Sequence, residues 1–453
     1  MGQILISAAS KSSGKTIVTT GICAALHAQN KVVQAFKKGP DYIDPMWLSA
    51  ATQRPCYNLD FWTQTNEEIL QLFHSKSESA DISIIEANKG LYDGMDLDGS
   101  NSNAALAKLL NTPVVLVIDC RGTIRGIAPL LLGYQDFDRN VNIEGVILNF
   151  VGGSRHEEKL RRVVEHYTDL KIVGALQRDE SLFLEERYLG LIPSNEDQDA
   201  AKKIQSLSNA IANQVDLDYL QTISSTLPNY PITSDTNKPS HSLRIGYAKD
   251  EAFGFYYPDD LENFIKLGAT LVPFNTLSDS NLPDVDGIFL GGGFPEKSLK
   301  QLEMNSSLRQ QLLSALKAGL PAYAECGGLM YLCKTIHYDG LQGNMVGLID
   351  ADCIMTSKPQ GRGYIRFTEN KHSLWTEINS QPINAHEFHY SYLKGLPDSS
   401  IFSFDLSRGQ GILRQQDGLR IHNTLACYAH QRNTGRNPWI NKFLNFVSLN
   451  KSK

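Results

Sequence analysis

The sequence predicts an α/β protein made of two doubly wound units, and two observations support this. Short runs rich in β-branched residues alternate with longer helix-compatible stretches in both halves of the chain. Between the halves lies a Pro-, Ser- and Thr-rich segment without apolar periodicity, as is typical of a linker. Buried strands that alternate with helices indicate a parallel sheet covered on both faces. We therefore expect an N-terminal domain over 1–223, a linker over 224–242 and a C-terminal domain over 243–440.

The strands are expected where apolar runs are short. In the first half these runs are GQILISA, NKVVQAF, DISIIEA, TPVVLVID, GVILNF and KIVGAL. In the second half they are LRIGYAKD, ATLVPFN, DGIFLGGGFP and PAYAECGG, with helices predicted over DDLENFIKLG and KSLKQLEMNSSLRQQLLSALKAG. From about Asp352 to Thr424 the chain is richer in polar and aromatic residues, which favours antiparallel strands.

Length and composition favour a soluble protein of more than one domain. The chain has 453 residues, of which 42% are hydrophobic and 20% charged. A net charge of −6 offers no general attraction to nucleic acid. No apolar run reaches the about 18 residues that span a bilayer, and the start of the chain does not resemble a signal peptide. Seven cysteines without paired spacing favour reduced thiols. We expect a cytoplasmic protein with no nucleic-acid or membrane partner.

The segment ASKSSGKT, residues 9–16, predicts a loop that binds nucleotide phosphates. A strand precedes it and the helical stretch TIVTTGICAALHAQ follows, so backbone N–H groups and a helix N-terminus can point at the phosphates. Ala9 replaces the first Gly of the usual pattern, and the alternative is a Ser- and Gly-rich turn with an incidental GKT. Lys15 would contact the β- and γ-phosphates, and Thr16 would bind Mg²⁺. The expected ATP-binding residues are Lys11, Ser12, Ser13, Gly14, Lys15 and Thr16.

Three acidic residues follow predicted strands of the first half. Glu86 ends DISIIEA, and Asp41 and Asp44 lie in KKGPDYIDP after the second strand. The carboxyl ends of parallel strands meet at one edge of a sheet, where ligands collect, and Mg²⁺ prefers carboxylates beside phosphates. The three acids are therefore candidate Mg²⁺ ligands beside Thr16. The alternative for any single acid here is a helix cap, and Asp93 in GLYDG is a weaker candidate.

Cys326 in AYAECGGLMYL is the candidate nucleophile. A short buried strand precedes it, and a tight glycine turn leads into the helix LMYLCKTI. On such a turn we expect the thiol to be exposed and its pKa to be lowered by the helix N-terminus. His430 in LACYAHQ is the expected base, with a purely structural histidine as the alternative. The glycines expected to present N–H groups to glutamine and its oxyanion are Gly291, Gly292, Gly293 and Gly327.

Two histidines in NAHEFHYS, His386 and His389, form a weaker constellation. No third ligand clusters with them, so contact with a substrate or packing is favoured over metal binding. Cys333, Cys353 and Cys427 are interpreted as inert buried residues. The candidate substrate contacts are Asp41, Tyr42, Asp93, His386 and His389.

Seven segments together resemble the cobyrinate a,c-diamide synthase family. They are ASKSSGKTIVTTG, FKKGPDYIDPMWLSAATQRPCYNLD, KGLYDG, YAKDEAFGFYYPDDLE, FLGGGFPE, YAECGGLMYL and AHEFHYS, in family order. The resemblance implies an N-terminal P-loop amidoligase of the dethiobiotin-synthetase type and a C-terminal class I glutamine amidotransferase. It also implies ATP-dependent amidation of the a and c acetate carboxylates of cobyrinate in cobalamin biosynthesis, through acyl phosphates attacked by ammonia.

By matching positions the resemblance implies individual roles. Lys15 and Thr16 would handle phosphate and Mg²⁺, and Asp44 and Glu86 would assist around metal or substrate, so the expected metal residues are Thr16, Asp44 and Glu86. Cys326 would form a glutamyl thioester with His430 as its base. One departure concerns the residue two positions after that histidine, where triad enzymes have Glu and this chain has Arg432. The sequence therefore predicts a Cys–His dyad and leaves open which residue orients the imidazole.

The substrate and two other classes of protein stay open at this point. DGMDLDGSNSNAALAKLL and GGSRHEEKLRRVVEHYTD resemble the branch proposed to amidate sirohaem, which is the alternative tetrapyrrole. A P-loop ATPase switch, or a tetrapyrrole-binding protein without amidase activity, would share parts of the pattern. The expected partners are L-glutamine, ATP and a tetrapyrrole polycarboxylate, with Mg²⁺ as cofactor. The oligomeric state is open, with a homodimer as one alternative.

Overall fold

Two compact units make up the chain, Met1–Ser234 and Asp235–Lys453. The computed structural model describes residues 2–182, 184–187, 190–226, 241–375 and 381–451. Most of the predicted linker lies outside these residues, so the bounds 1–223, 224–242 and 243–440 stay a prediction. Within the described ranges no helix is both long enough and apolar enough to cross a membrane.

The first unit is an α/β fold in which helices follow most strands. The strands described are β1 (Gly2–Ala8), β2 (Val33–Lys38), β3 (Tyr57–Leu59), β4 (Ile82–Glu86), β5 (Val114–Asp119), β6 (Ile143–Val151), β7 (Lys171–Gln177), β8 (Glu186–Arg187), β9 (Gly190–Leu191) and β10 (Ser225–Thr226). The helices described are α1 (Lys15–Ala28), α2 (Ile43–Thr52), α3 (Asn66–Ser77), α4 (Asn103–Leu110), α5 (Ile127–Phe137), α6 (Ser154–Tyr167), α7 (Ala200–Gln214) and α8 (Leu217–Ile223).

The main sheet of this unit has the order β3-β2-β4-β1-β5-β6-β7, and its neighbours are parallel. Alternate residues of β1 point to opposite faces: Leu5 packs with α3 to α6, whereas Ile4 and Ile6 pack with α1, α2, α7 and α8. The predicted doubly wound unit is confirmed. Register places Glu86 beside Ile6 of β1 and Lys37 of β2, so the carboxyl ends of the three central strands meet.

The second unit contains more strands and fewer helices. The strands described are β11 (Leu243–Ala248), β12 (Ala269–Phe274), β13 (Gly287–Leu290), β14 (Ala322–Glu325), β15 (Cys333–Tyr338), β16 (Leu341–Asn344), β17 (Ile349–Met355), β18 (Gly361–Glu369), β19 (Ile383–His389), β20 (Ser391–Lys394), β21 (Ile401–Arg408), β22 (Gln416–Ile421) and β23 (Thr424–Cys427). The helices described are α9 (Pro258–Lys266), α10 (Leu299–Met304), α11 (Ser306–Lys317), α12 (Gly327–Leu332) and α13 (Trp439–Asn450).

Its main sheet runs β12-β11-β13-β14-β23-β22-β21-β18-β19. Neighbours from β12 to β23 are parallel and the rest antiparallel, as predicted for the later part of the chain. A smaller sheet has the order β16-β15-β17-β20. The prediction of one helix over LMYLCKTI is wrong at its end, because α12 stops at Leu332 and residues 333–338 form β15. The β-branched Thr335 and Ile336 pair with β17 there.

Candidate active sites

The loop between β1 and α1 has the backbone of a phosphate-binding turn. Ser12 and Gly14 have positive φ angles of 62° and 81°. Asn149 Nδ2 donates to the Ser13 carbonyl at 2.9 Å, and Ser13 Oγ donates to the Ser10 carbonyl at 2.8 Å. A Cβ on Gly14 would lie 2.3 Å from Asn149 Nδ2, so the turn requires glycine. These contacts hold the loop at the N-terminus of α1, where anions bind.

Thr16, Asp44 and Glu86, the predicted metal residues, lie in one cluster. Thr16 Oγ1 donates to Glu86 Oε1 at 2.7 Å and to Asp44 Oδ2 at 3.2 Å. Lys37 Nζ lies between the two carboxylates, 2.6 Å from Asp44 Oδ2 and 2.9 Å from Glu86 Oε1. The cluster forms because β1, β2 and β4 are neighbours in the sheet.

The hydroxyl and carboxylate oxygens of this cluster suit Mg²⁺, which prefers hard oxygen ligands. Glu86 is fully buried, and its Oε2 has no hydrogen-bond partner among the described residues. Burial raises the pKa of Glu86, and Lys37 opposes that effect. No group of three His, Cys, Asp or Glu in the described ranges is placed to hold a metal by itself. A magnesium ion would therefore take Thr16, Asp44 and Glu86 together with phosphate oxygens of the nucleotide.

The two lysines of the phosphate loop differ in environment. Lys15, the first residue of α1, is only 8% exposed, whereas Lys11 lies on the surface. Burial first, and then the charge of Lys37, lowers the pKa of Lys15 to about 8. A bound phosphate would favour the charged ammonium of Lys15.

Lys37 is a site residue that the sequence analysis missed, and Lys38 follows it in the same buried strand. All of β2 is buried, both lysines included. Lys38 Nζ donates to the Asn101 carbonyl at 2.6 Å, and burial, opposed by Asp60, lowers the pKa of Lys38 to about 8. The sequence does contain a signal for them, since two lysines end an apolar strand that is predicted to be buried. Buried lysines need polar partners, so such a pair indicates a polar cluster nearby.

The other predicted contacts of the first unit have local partners. Asp41 Oδ1 accepts two backbone N–H groups at the start of α2, at 2.9 and 3.1 Å, so Asp41 also caps that helix. Burial, followed by the charge of Asp44, raises the pKa of Asp41 to about 7. Tyr42 is buried at the same turn. Asp93 is exposed and accepts the Gly90 N–H at 2.9 Å, and its charge acts on Lys15 of the phosphate loop.

In the second unit, Cys326 occupies a strained turn between β14 and α12. Its φ of 45° and ψ of −99° are typical of a nucleophile elbow. The side chain is only 7% exposed, contrary to the expectation of an exposed thiol. Burial first, and then Glu296 and Glu325, raises the pKa of Cys326 despite the opposing Gly327 N–H, so the predicted lowering is wrong in sign. The thiol needs a base to become a thiolate.

His430 follows β23, the parallel neighbour of β14, so the elbow and the candidate base leave the sheet side by side. Its N–H donates to the His386 carbonyl at 2.8 Å, and the two imidazoles stack with centroids 4.8 Å apart. Its Nδ1 lies 3.4 Å from Glu325 Oε2. The structure thus brings an acid to the predicted dyad.

Glu325 is a second residue whose place in the site the sequence analysis missed. Its carboxylate is 3% exposed, and its Oε1 accepts the Tyr323 hydroxyl at 2.7 Å and the Gln431 N–H at 2.9 Å. The available signal was an acidic residue at the end of a buried strand, directly before the nucleophile.

Arg432 has a different acidic partner. Its Nη2 lies 2.8 Å from Asp259 Oδ2, and its guanidinium lies 4.7 Å from the centroid of the Tyr257 ring. Since Arg432 is buried in these contacts, position 432 supplies packing and a cation rather than a carboxylate for the imidazole.

The glycine loop after β13 approaches both the base and the elbow. A Cβ on Gly292 would lie 2.7 Å from His430 Cε1, and one on Gly327 would lie 2.9 Å from Gly293 N. The N–H of Gly291 donates to a tyrosine hydroxyl at 3.0 Å, so it is not available to an oxyanion, contrary to expectation. The remaining predicted donors are Gly292, Gly293 and Gly327.

The two other predicted histidines are buried and packed in this unit. Burial, followed by His430 and Arg432, lowers the pKa of His386 well below its usual range. His389 Nδ1 donates to a backbone carbonyl at 2.8 Å, and its ring stacks 3.6 Å from the Tyr428 ring. These contacts favour packing over metal binding. All seven cysteines are buried and free.

The two units match two domain families. Residues 4–192 match the CobQ/CobB/MinD/ParA nucleotide binding domain. Residues 244–438 match the CobB/CobQ-like glutamine amidotransferase domain. Together with the phosphate loop and the cysteine elbow, these matches define a glutamine-dependent, amide-forming ligase.

Curated relatives extend over nearly the whole chain. The cobyrinate a,c-diamide synthase of Magnetococcus marinus is 41% identical and covers 96% of this chain and 95% of its own. That of Caldanaerobacter subterraneus is 37% identical over 94% of each chain. The chain belongs to the cobyrinate a,c-diamide synthase family. Among solved structures, the structure of PurLQS from Thermotoga maritima matches 46% of this chain and 99% of its own, with a TM-score of 0.35 and 14% identity.

Proposed function

We propose that this protein uses ATP and glutamine to amidate the a and c acetate carboxylates of cobyrinate, giving the a,c-diamide. The relatives named for this product cover at least 94% of the chain. One observation carries the proposal. The same chain holds a phosphate loop beside the Thr16, Asp44 and Glu86 cluster, and a cysteine elbow beside His430.

The glutaminase half begins with a proton transfer. Cys326 gives its proton to His430, and the thiolate attacks the carboxamide carbon of glutamine. N–H groups of Gly292, Gly293 and Gly327 would stabilise the oxyanion. His430 returns the proton to the leaving nitrogen, so ammonia departs and a glutamyl thioester remains. Water then attacks the thioester, releases glutamate and restores the thiol.

The ligase half makes a carboxylate electrophilic. Lys15 and the N-terminus of α1 would hold the β- and γ-phosphates, with Thr16, Asp44 and Glu86 around the cation. Mg²⁺ bound there supplies charge neutralisation for the phosphates. A substrate carboxylate oxygen attacks the γ-phosphorus and ADP leaves. Ammonia then attacks the acyl phosphate, loses a proton, and displaces inorganic phosphate to form the amide.

Replacement of the nucleophile tests the division of labour. Cys326→Ala should abolish amidation with glutamine and preserve amidation with added ammonium chloride at mildly alkaline pH. Mass spectrometry of the product follows each acid as it becomes an amide and counts the sites. Loss of activity with both nitrogen donors, in a variant that still binds ATP, would refute the assignment.

The choice of tetrapyrrole is tested in the same assay. We expect two amides on cobyrinate with MgATP and glutamine. The two sequence segments that resemble the sirohaem-amidating branch favour sirohaem as the second candidate. Amidation of sirohaem but not of cobyrinate would replace the proposed substrate while keeping the reaction.

A further inference from the structure

We infer that Glu325 is the residue that positions the imidazole of His430 for its reaction with Cys326. It would replace the acid that the chain lacks at position 432. This inference rests on the proposed glutaminase function of the site. Glu325 acts through His430, so it is a positioning residue and does not touch glutamine.

The two carboxylate oxygens of Glu325 have separate partners. Oε1 accepts hydrogen bonds from the Tyr323 hydroxyl and the Gln431 N–H, at 2.7 and 2.9 Å. These bonds fix the plane of the carboxylate and leave Oε2 facing His430 Nδ1 at 3.4 Å. In the structure this contact does not have the geometry of a hydrogen bond. Catalytic hydrogen bonds are often long or poorly aligned in free enzymes and tighten only in the complex with substrate. Both side chains are only 3% exposed, so water competes little for this contact.

The strained elbow explains how adjacent residues can serve the same imidazole. In a regular strand, successive side chains point to opposite faces. Glu325 ends β14, and Cys326 departs from the strand with a φ of 45° and a ψ of −99°. The turn therefore redirects the cysteine relative to the preceding glutamate. The strain that presents the nucleophile also permits an acid immediately before it.

The other charged groups near the imidazole do not supply this acid. Arg432, two residues after His430, is a cation, and its Nη2 lies 2.8 Å from Asp259 Oδ2. His386 stacks on His430 at an interplanar angle of 15°, and its burial keeps it neutral. The stack and the carboxylate together restrict rotation of the His430 ring.

The inference requires one tautomer. His430 Nδ1 would carry the ring hydrogen and direct it towards Glu325, which would leave Nε2 without a hydrogen. Nε2 can then accept the thiol proton of Cys326, and the negative carboxylate stabilises the resulting imidazolium. The same proton is later given to the leaving ammonia, so Glu325 itself neither gains nor loses a proton.

Two substitutions separate this role from packing. Glu325→Gln keeps the shape and an oxygen for Tyr323 and Gln431 but removes the charge. We expect it to lower kcat for glutamine hydrolysis about 100-fold, with KM nearly unchanged, which is a typical loss for impaired acid–base catalysis. Glu325→Asp keeps the charge at the cost of shape and should retain more activity than Glu325→Gln. The reverse order would show a packing role and overturn the inference.

Near-ultraviolet circular dichroism and thermal denaturation check that the second unit of each variant is folded, because ammonia-dependent amidation reports only on the first unit. Equal kcat in Glu325→Gln and the unaltered protein would overturn the inference. If Cys326→Ala still abolishes glutamine use, that result leaves the proposed function standing. Glu303→Gln is the matched control, since it removes a carboxylate of the same unit whose Oε1 accepts two N–H groups of Asn344, at 2.6 and 3.0 Å. It should not reproduce the kcat loss of Glu325→Gln.

A measurement on the unaltered protein avoids any question of folding. NMR of protein labelled with ¹⁵N-histidine, assigned with His430→Gln, reports which ring nitrogen carries the hydrogen. We expect the Nδ1–H tautomer of His430, with its proton shifted downfield by the carboxylate. An Nε2–H tautomer in the free protein would overturn the inference.

Discussion

Buried charges at both sites are stabilised by residues on neighbouring strands. Lys37, 3% exposed, lies between Asp44 and Glu86 in the first unit. In the second unit Glu325 lies between hydrogen-bond donors and an imidazole. A buried charge is costly unless it is paired. A substitution that removes one of these charges should therefore destabilise the buried partners that remain.

Lys15 should make nucleotide binding depend on pH. Burial, followed by Lys37, lowers its pKa to about 8, so the free protein loses the ammonium charge as the pH rises through that value. Phosphates bind the charged form better. Affinity for MgATP should be full below pH 8 and then fall by up to about tenfold per pH unit. Isothermal titration calorimetry between pH 7 and 9 measures this.

Lys15→Arg is the control for that measurement. An arginine stays charged over the whole range, so its affinity for MgATP should vary little with pH, whatever its absolute value. A flat profile in the unaltered protein would mean that Lys15 does not contact the phosphates in its charged form.

Lys37→Met should destabilise the first unit when no cation or nucleotide is present. It leaves Asp44 and Glu86 as two neighbouring carboxylates without their common partner. Breaking a buried ion pair costs about 3–5 kcal/mol, and urea denaturation measures the loss. Lys108→Met removes an exposed pair with Asp138 and should cost less than about 1 kcal/mol. Equal losses of stability in the two variants would contradict the pairing of Lys37 with Asp44 and Glu86. Added Mg²⁺ should restore more stability to Lys37→Met than to Lys108→Met.

The residues that a local motif contains could be predicted from the sequence, whereas those defined by register could not. Thr16, Asp44 and Glu86 follow predicted strands, and the structure brings them together. Lys37 meets Glu86 across 49 residues of sequence. Glu325 likewise ends β14 and accepts the N–H of Gln431, which follows the neighbouring strand β23. A single sequence does not state which strands are neighbours.

Elements around the cysteine elbow are packed without space for added side chains. α12 is only six residues long, and all of them are buried. A Cβ on Gly328 would lie 2.3 Å from the Leu290 carbonyl oxygen of β13, which is backbone and cannot rotate away. The close approach of helix and strand holds the elbow in its strained conformation.

Gly328→Ala should therefore destabilise the second unit by roughly 1–3 kcal/mol, the usual cost of overpacking. It should also lower glutaminase activity, because relief of the clash moves the elbow. Thermal denaturation and glutamine hydrolysis measure the two effects. At the exposed Gly133 of α5, a Cβ would meet nothing within 4 Å, so Gly133→Ala should raise the free energy of unfolding of the first unit by about 0.5–1 kcal/mol. If Gly328→Ala changed neither the stability nor the glutaminase activity, α12 would be shown to move freely.

Element types were predictable, and several element ends were not. Apolar strands and the long amphipathic helices carry local patterns, which the structure confirms. The end of α12 depends on β15 pairing with β17, a tertiary contact. Likewise the stretch predicted as one helix over residues 297–319 divides into α10 and α11 at Asn305, whose side chain accepts the Leu308 N–H. Capping and strand pairing decided these ends, and apolar periodicity does not report them.

At the scale of the whole molecule, each unit has its own sheet and its own apolar clusters on both faces. Each half-reaction can therefore be disabled without disturbing the core of the other unit. In the proposed reaction, glutamine hydrolysis would need the elbow and its base, and carboxylate activation would need the phosphate loop. Only the complete reaction would need both, because ammonia freed in one half would be consumed in the other.

Lys15→Ala should stop amide formation while leaving glutamine hydrolysis intact. Without the loop cation the carboxylate is not phosphorylated, so no amide forms from glutamine or from ammonia, and product should fall at least about 100-fold. Hydrolysis of glutamine to glutamate should continue, since Cys326 and His430 are intact. Mass spectrometry of the tetrapyrrole and an enzymatic glutamate assay follow the two halves in one reaction. Cys326→Ala is the reciprocal control, with amide from ammonia and no glutamate. Amide formation by Lys15→Ala with ammonia would mean that the nucleotide is not used at this loop, and the proposed coupling would fail.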